Sequence, residues 1–215
     1  MEKNLENYRK SYQKYALERE DLAAQPIDLF KKWFDEVEEN GSVEEANAMH
    51  LSTFGKDGFP KNRVVLLKKV KAEGFVFYTN YNSEKAKAIA HNNKVCLSFF
   101  WPGLERQVII KGTASKVSEE ESDAYFNSRP KGSQLGALAS PQSDPIENRE
   151  VLEENLKSLE EKYADEAIKR PASWGGYLVK PDSVEFWQGR PNRLHDRFLY
   201  RQNQNGEWTA TRLAP

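Results

Sequence analysis

The chain has 215 residues, with 32 Lys plus Arg against 33 Asp plus Glu and a formal net charge of -1. That length is enough to bury a substantial core in one domain without disulfides or a metal, and the even charge balance excludes an overall basic field that would recruit nucleic acid. Cys96 stands alone, which excludes an internal disulfide and a multi-cysteine metal site; within Val95-Cys96-Leu97 it reads as a small core residue.

Residues 1–25 are charged, with Tyr8, Tyr12 and Tyr15 at helical spacing, and read as a frayed helix or an arm that orders on contact. The first residues are too polar for a signal peptide and no apolar run approaches membrane-spanning length, so a soluble, cytoplasmic chain without membrane partners is expected. Pro26 and Asp28, the latter as N-cap, precede Phe30, Trp33, Phe34 and Val37, an i, i+3, i+4, i+7 stripe that predicts an amphipathic helix ending at Asn40-Gly41.

The period then changes. Strands are predicted over 49–54, 63–70 and 75–80, joined by the turns Gly55-Lys56-Asp57-Gly58 and Glu73-Gly74, which implies an antiparallel meander. Ser83 is placed to cap a helix carrying Ala86, Ile89 and Ala90, and two further strands follow over 95–101 and 106–117. A helical interlude comes next: 119–127, a Gly- and Ser-punctuated segment over 131–140, and a longer helix over about 146–163. Strand signals return over 174–179, 184–187, 197–201 and 208–212, with Asn205-Gly206 as a hairpin turn. The sum predicts an antiparallel barrel of six or more strands with surrounding helices, in one domain over 26–215.

Several cofactor signatures are missing. No G-x-G-x-x-G opens a helix, there is no G-x-x-x-x-G-K-[ST], and His50, His91 and His195 lack metal-ligand spacing. What the chain does offer is scattered cations and hydroxyls. In Arg63-Val64-Val65-Leu66-Leu67-Lys68 a strand period sends the two terminal cations to opposite faces. Tyr78, Thr79 and the Ser83-Glu84-Lys85 helix start supply hydroxyls, an ammonium and free N–H groups, the needs of a phosphate. Gln107, Gln142 and Ser143 suit the polar edge of a ring, and Tyr125, Arg129 and Ser133 recur every four residues as a second anion pocket. If 193 onward is extended, Arg193, His195 and Arg197 share one face. Taken singly, each of these is the ordinary exposed residue of a surface.

Their order and spacing carry more. The segments RVVLLK (63–68), FYTN (77–80), SEKA (83–86), LERQV (104–108), YFNSRP (125–130), WGGY (174–177), EFWQG (185–189), RLHDRF (193–198) and the final RLAP (212–215), with the Gln142-Ser143 pair, closely resemble the pyridoxine/pyridoxamine 5′-phosphate oxidase family from Asp21 onward. The resemblance implies a split-barrel flavoenzyme working as a homodimer, with FMN held at the subunit interface. It would oxidise pyridoxine or pyridoxamine 5′-phosphate to pyridoxal 5′-phosphate, with O₂ as acceptor giving hydrogen peroxide, and ammonia from the amine. By the same resemblance FMN falls to Arg63, Val64, Val65, Leu66, Leu67, Lys68, Tyr78, Thr79, Lys85, Gln107, Gln142, Ser143, Trp187 and Arg197. The substrate phosphate falls to Lys68, Tyr125, Arg129 and Ser133, and its ring to Arg193 and His195, the catalytic pair. Arg9 and Tyr12 are the counterpart of an Arg-x-x-Tyr that closes over the ligand in relatives.

One departure is Glu84, where relatives often carry a base. A carboxylate there repels a phosphate, so Glu84 is expected to point to solvent and leave the phosphate to Lys85 and Arg63. The competing readings are a flavin reductase using a nicotinamide cofactor, which leaves Tyr125, Arg129 and Ser133 without a task, and a non-catalytic flavin- or phosphate-binding protein.

Overall fold

The computed structural model describes residues 3–215. Among them the chain forms, in order, α1 (Pro26–Asn40), β1 (Ala48–Phe54), β2 (Pro60–Leu66), β3 (Lys69–Lys71), β4 (Gly74–Asn80), α2 (Glu84–His91), β5 (Lys94–Trp101), β6 (Arg106–Lys116), α3 (Glu119–Ser128), α4 (Lys131–Ala139), α5 (Glu150–Lys162), β7 (Trp174–Gln188), β8 (Asp196–Gln202) and β9 (Trp208–Leu213). Hydrogen-bonded neighbours run β2-β1-β5-β6-β7-β4-β3, with β8 on β7 and β9 on β8. The strand-rich expectation holds, but the simple meander does not. The segment expected as one strand over 63–70 breaks into β2 and β3, and β2 pairs with β1 while β3 pairs with β4.

The chain folds as two compact units. The first comprises residues 1–50, 96–111 and 181–215, the second 51–95 and 112–180. In the first, α1 turns the predicted stripe inward: Phe30, Trp33 and Val37 are buried, joined by Leu29, while Phe34 is only half-buried. Phe30 meets Phe99 edge-on at 5.0 Å and Trp33 meets Phe186 at 5.1 Å. Burial of each such ring contributes roughly 2–3 kcal/mol. Pro26 is the first helical residue and Asp28 lies in the first turn rather than at the cap; its charge is favoured there by the helix dipole. The late strands form an antiparallel ladder, Ser183↔Arg201 through Gln188↔Asp196 and Arg197↔Leu213 through Gln202↔Trp208.

In the second unit β4 pairs antiparallel with the start of β7, from Phe75↔Val179 to Asn80↔Trp174. The strands expected over 174–179 and 184–187 are one continuous 15-residue strand that runs through Pro181. Ser83 caps α2 as expected, its hydroxyl accepting from the Ala86 N–H at 3.4 Å. Segment 131–140 is the helix α4, which packs Leu135 against Phe126, Ile168 and Trp174. Cys96 is half-buried, and burial raises its thiol pKa, so it is not an activated nucleophile. No helix of the described residues is long and apolar enough to cross a membrane.

Candidate functional site

In the second unit a cavity of about 740 Å³ gathers most of the phosphate- and ring-binding candidates. β2 supplies Arg63, Val64, Val65 and Leu66; β4 supplies Tyr78 and Thr79; α2 supplies Lys85. The helical interlude adds Tyr125, Arg129 and Ser133, and the loop after Pro141 adds Gln142 and Ser143. The expectation that Arg63 and Lys68 face opposite ways fails. β2 ends at Leu66, the chain turns so that the Lys68 N–H donates to the Val76 carbonyl at 2.8 Å, and both cations line the same cavity. Leu67 alone of 63–68 turns into the core, at 5% exposure.

The wall is one-signed: Arg63, Lys68, Lys85 and Arg129 line it and no carboxylate does. Arg63 is held by Nη1, which donates to the carbonyls of Leu51 and Lys61, each at 3.0 Å, and to Thr53 Oγ1 at 2.8 Å. Burial pulls its pKa down, as it does for Lys85, where nearby Arg63 adds to the effect. Gln142 Oε1 accepts from Thr79 Oγ1 at 3.3 Å and from Lys85 Nζ at 3.4 Å, joining loop, strand and helix.

Two polar atoms in this wall are buried without a partner among the described residues, the hydroxyl of Tyr78 and Nη1 of Arg129. An unpaired buried donor costs about 1–3 kcal/mol, so its retention points to a ligand. Burial pushes the Tyr78 hydroxyl up to about 12, so it is a neutral donor at physiological pH. Its ring stacks on Tyr125 at 3.9 Å and on Trp174 at 5.5 Å, and Arg129 lies over Trp174 at 4.7 Å. Gly176 leaves room for this stack: a Cβ there would sit 2.8 Å from Cε1 of Tyr78.

A smaller cleft lined by Lys61, Asn62, Arg63, Glu84, Lys85 and Ser143 adjoins the same residues. Glu84 does not simply point to solvent. It is half-exposed but hydrogen-bonded to Lys61, whose ammonium also meets Asp57 at 2.9 Å. Glu84 first and Asp57 second hold the Lys61 pKa above the usual lysine value.

The first unit carries a separate groove of about 780 Å³, lined by Tyr8, Arg9, Lys10, Ser11, Tyr12, Arg190, Asn192, Arg193 and His195. It brings Arg9 and Tyr12 together with Arg193 and His195, and it too lacks a carboxylate. The shared strand face expected for Arg193, His195 and Arg197 is not there. Pro191–Arg193 is a short 3-10 turn with Asn192 and Arg193 at φ 57° and 62°, and β8 begins only at Asp196. Arg197 is spent internally, with Nε and Nη2 both 2.8 Å from Glu185 Oε1 and Nη1 donating to the Ala214 carbonyl at 2.8 Å. Arg197 and the half-buried Gln107 lie outside both linings.

His195 rests on Trp187, ring centroids 4.6 Å apart, and beside Tyr12 at 5.9 Å. The Arg190 N–H donates to its Nδ1 at 3.1 Å. Burial first and Arg193 second push the imidazole pKa down, against a smaller pull from Asp196. Asp196 ties the turn together, accepting from Arg190 at 3.2 Å, Arg212 at 2.8 Å and the Leu17 N–H at 3.1 Å.

Sequence reasoning missed Asn80, Gly136, Ala137, Ser140 and Trp174 in the cavity and Tyr8, Lys10, Ser11, Arg190 and Asn192 in the groove. Trp174 carried a signal, as an aromatic just before a Gly-Gly pair whose second member, Gly176, makes room for the stack. Arg190 carried another, a guanidinium beside the Pro191 break.

The sequence matches the family described as pyridoxamine 5′-phosphate oxidase over residues 35–163 and the pyridoxine 5′-phosphate oxidase C-terminal dimerisation region over residues 174–215. A protein of Flavobacterium johnsoniae named pyridoxine/pyridoxamine 5′-phosphate oxidase is 60% identical over 211 residues, 98% of this chain and 99% of its own. One of the same name from Flavobacterium psychrophilum is 58% identical over 213 residues, 99% and 100%. Among solved structures, PhzG from Burkholderia lata, in complex with tetrahydrophenazine-1-carboxylic acid, superposes with a TM-score of 0.86 at 28% identity, covering 93% of this chain and 98% of its own. A related FMN-binding protein from Nostoc punctiforme shares the fold, with a TM-score of 0.69 at 18% identity, covering 86% and 97%. The fold is the split barrel with added helices, and the chain belongs to the pyridoxamine 5′-phosphate oxidase family.

Proposed function

We propose that the protein is an FMN-dependent oxidase that converts pyridoxamine 5′-phosphate and pyridoxine 5′-phosphate to pyridoxal 5′-phosphate, with O₂ as electron acceptor and hydrogen peroxide as co-product. The observation that carries this reading is the one-signed wall of the cavity, where Arg63, Lys68, Lys85 and Arg129 meet no carboxylate and two buried donors lack partners. Such a wall fits phosphate-bearing ligands, since none of the four cations has an ion-pair partner in the cavity lining. The high identity to proteins named for this activity supports the same reading.

FMN, when bound, accepts the two electrons removed from the substrate and passes them to O₂. Arg63 and Lys85 would neutralise its phosphate, and Tyr78, Thr79, Gln142 and Ser143 would donate to its polar atoms; Trp187, Gln107 and Arg197, which the resemblance also assigns to FMN, line neither the cavity nor the groove. Lys68, Tyr125, Arg129 and Ser133 would hold the substrate phosphate. Arg193 and His195, which the resemblance assigns to the vitamer ring, line the groove of the first unit, where His195 would donate from Nε2 because its Nδ1 is already an acceptor. Trp174, stacked with Tyr78 and Tyr125, lies under the guanidinium of Arg129 and shields one side of it from water, which would strengthen its bond to a phosphate oxygen. A homodimer is part of the proposal, supported by the match of residues 174–215 to a dimerisation region.

The visible spectrum of the purified protein tests cofactor and substrate together. Flavin absorbance that bleaches on anaerobic addition of pyridoxamine 5′-phosphate and returns in air is the expected result. A colourless protein that takes up no FMN, or a flavin that bleaches only with NADH, would overturn it.

A further inference from the structure

Residues 8–17 form neither helix nor strand, yet their main chain is held at three points. The N–H groups of Gln13 and Lys14 both donate to Oε2 of Glu105, at 2.9 and 3.1 Å, and the Leu17 N–H donates to Oδ2 of Asp196. Asp196 is shared with two arginines. Glu105 is not: among the described residues its carboxylate meets these two N–H groups and, at 3.8 Å, Lys10.

Glu105 is 1% exposed, and a carboxylate so buried is costly unless charge-assisted hydrogen bonds compensate it. Its backbone is also strained, at φ 58°. The same residue's carbonyl accepts from the Gly189 N–H at 2.7 Å and from Gln188 Nε2 at 3.1 Å. One residue therefore ties residues 13–14 to the end of β7, beside the turn that carries Arg193 and His195.

Tyr12 shows what this tie positions. Its ring lies over the bare backbone of Gly189, where a Cβ would come within 2.7 Å of the Tyr12 ring, and meets Trp187 edge-on at 5.7 Å. Because the carboxylate grips main chain, it sets the register of the segment whatever side chains the segment carries. A one-residue slip against that anchor would shift every side chain of the segment by one Cα spacing, about 3.8 Å. Tyr12 and Arg9 would then leave the groove.

We propose that Glu105 is a positioning residue for the substrate groove: its carboxylate fixes residues 13–14 so that Tyr12 and Arg9 stand against His195 and Arg193, with Gly189 as the surface that admits Tyr12. The assignment rests on the reading that this groove receives the phosphorylated vitamer.

The test uses full-length, FMN-loaded protein and two readouts: the rate of tryptic cleavage after Lys10 and Lys14, and KM and kcat for pyridoxamine 5′-phosphate. Glu105→Leu is expected to raise both cleavage rate and KM about tenfold, the scale of a lost charge-assisted hydrogen bond, with kcat within about twofold. Glu105→Gln keeps an oxygen acceptor and should restore both to about the parent values. Tyr12→Ala should raise KM, and adding Glu105→Leu should raise it no further. Should Glu105→Leu fail to fold, Gly189→Ala displaces Tyr12 without touching the carboxylate and is expected to raise KM alone. Unchanged cleavage in Glu105→Leu, additive KM effects in the double variant, or a loss confined to kcat would overturn the proposal. Absence of turnover in the parent protein would instead reject the vitamer reading, while the cleavage comparison still decides whether Glu105 anchors the segment.

Discussion

The main-chain N–H of Arg190 donates to Nδ1 of His195 at 3.1 Å, which places the proton of the neutral ring on Nε2. Burial lowers the pKa of this imidazole, so the neutral form persists below the ordinary histidine value. His195 then offers the groove a donor and not a base. His195→Gln, which retains an N–H donor, is expected to keep about tenfold more kcat/KM than His195→Ala. The acid limb of the kcat/KM profile assigned to this group should fall below pH 6.5, since the ring gains its proton only as pH drops through the lowered pKa. A limb at or above 6.5, or equal losses in the two variants, would contradict this.

The unpaired Tyr78 hydroxyl and Arg129 Nη1 should betray their purpose by opposite effects on stability and binding. Tyr78→Phe is expected to stabilise the cofactor-free protein by about 1 kcal/mol, having removed a buried unsatisfied group, and to weaken FMN binding about fivefold. Thermal unfolding without ligand and FMN fluorescence titration check the two halves. Arg129→Met should likewise leave the ligand-free melting temperature unchanged or higher while raising KM for the substrate at least tenfold.

Lys61 offsets Glu84 at the cleft it shares with Arg63 and Lys85. Lys61→Ala leaves that carboxylate facing any phosphate held there, and the dissociation constant for FMN is expected to rise about fivefold. Glu84→Gln should lower it about twofold by releasing Lys61. Both effects should shrink between low and high salt, because the groups are exposed and screened. Tighter binding in Lys61→Ala would reject the account.

Asp196 is 8% exposed and accepts from Arg190, Arg212 and the Leu17 N–H. Asp196→Ala strands those donors and is expected to cost about 2 kcal/mol. Urea unfolding should show a lower midpoint with an unchanged slope, whereas a midpoint within error of the parent would show the network to be idle.

The fold was legible wherever side-chain period decides it. α1, β1, β4 and the β8-β9 hairpin stand close to where alternation and the Asn205-Gly206 turn put them. Period says nothing of a main chain that leaves its expected region. Asn192 and Arg193 adopt positive φ, so the charged alternation from 193 onward, sound as arithmetic, belonged to no strand. Gly132, Ser133 and Gly136 punctuate 131–140 within the expected helical interlude, and burial of Leu135 secures a helix there over Lys131–Ala139. The strand signal lapsed over 180–183, where β7 passes through. The cavity residues were found through the order of motifs along the chain, and no single motif would have distinguished them from exposed polar surface. Lys10 was invisible because its placement depends on Glu105, a buried carboxylate that sequence alone reads as an ordinary surface acid.

The carboxylate-free wall has a practical consequence at the bench. With Arg63, Lys68, Lys85 and Arg129 held together and nothing negative among them, an anion from the buffer completes the structure as well as a ligand phosphate does in kind, if not in strength. Inorganic phosphate should thus be both a preservative and a competitor, raising the melting temperature of the flavin-free protein while weakening apparent cofactor affinity. Reconstitution is best carried out in an uncharged or cationic buffer, where the cavity is left to its own ligands.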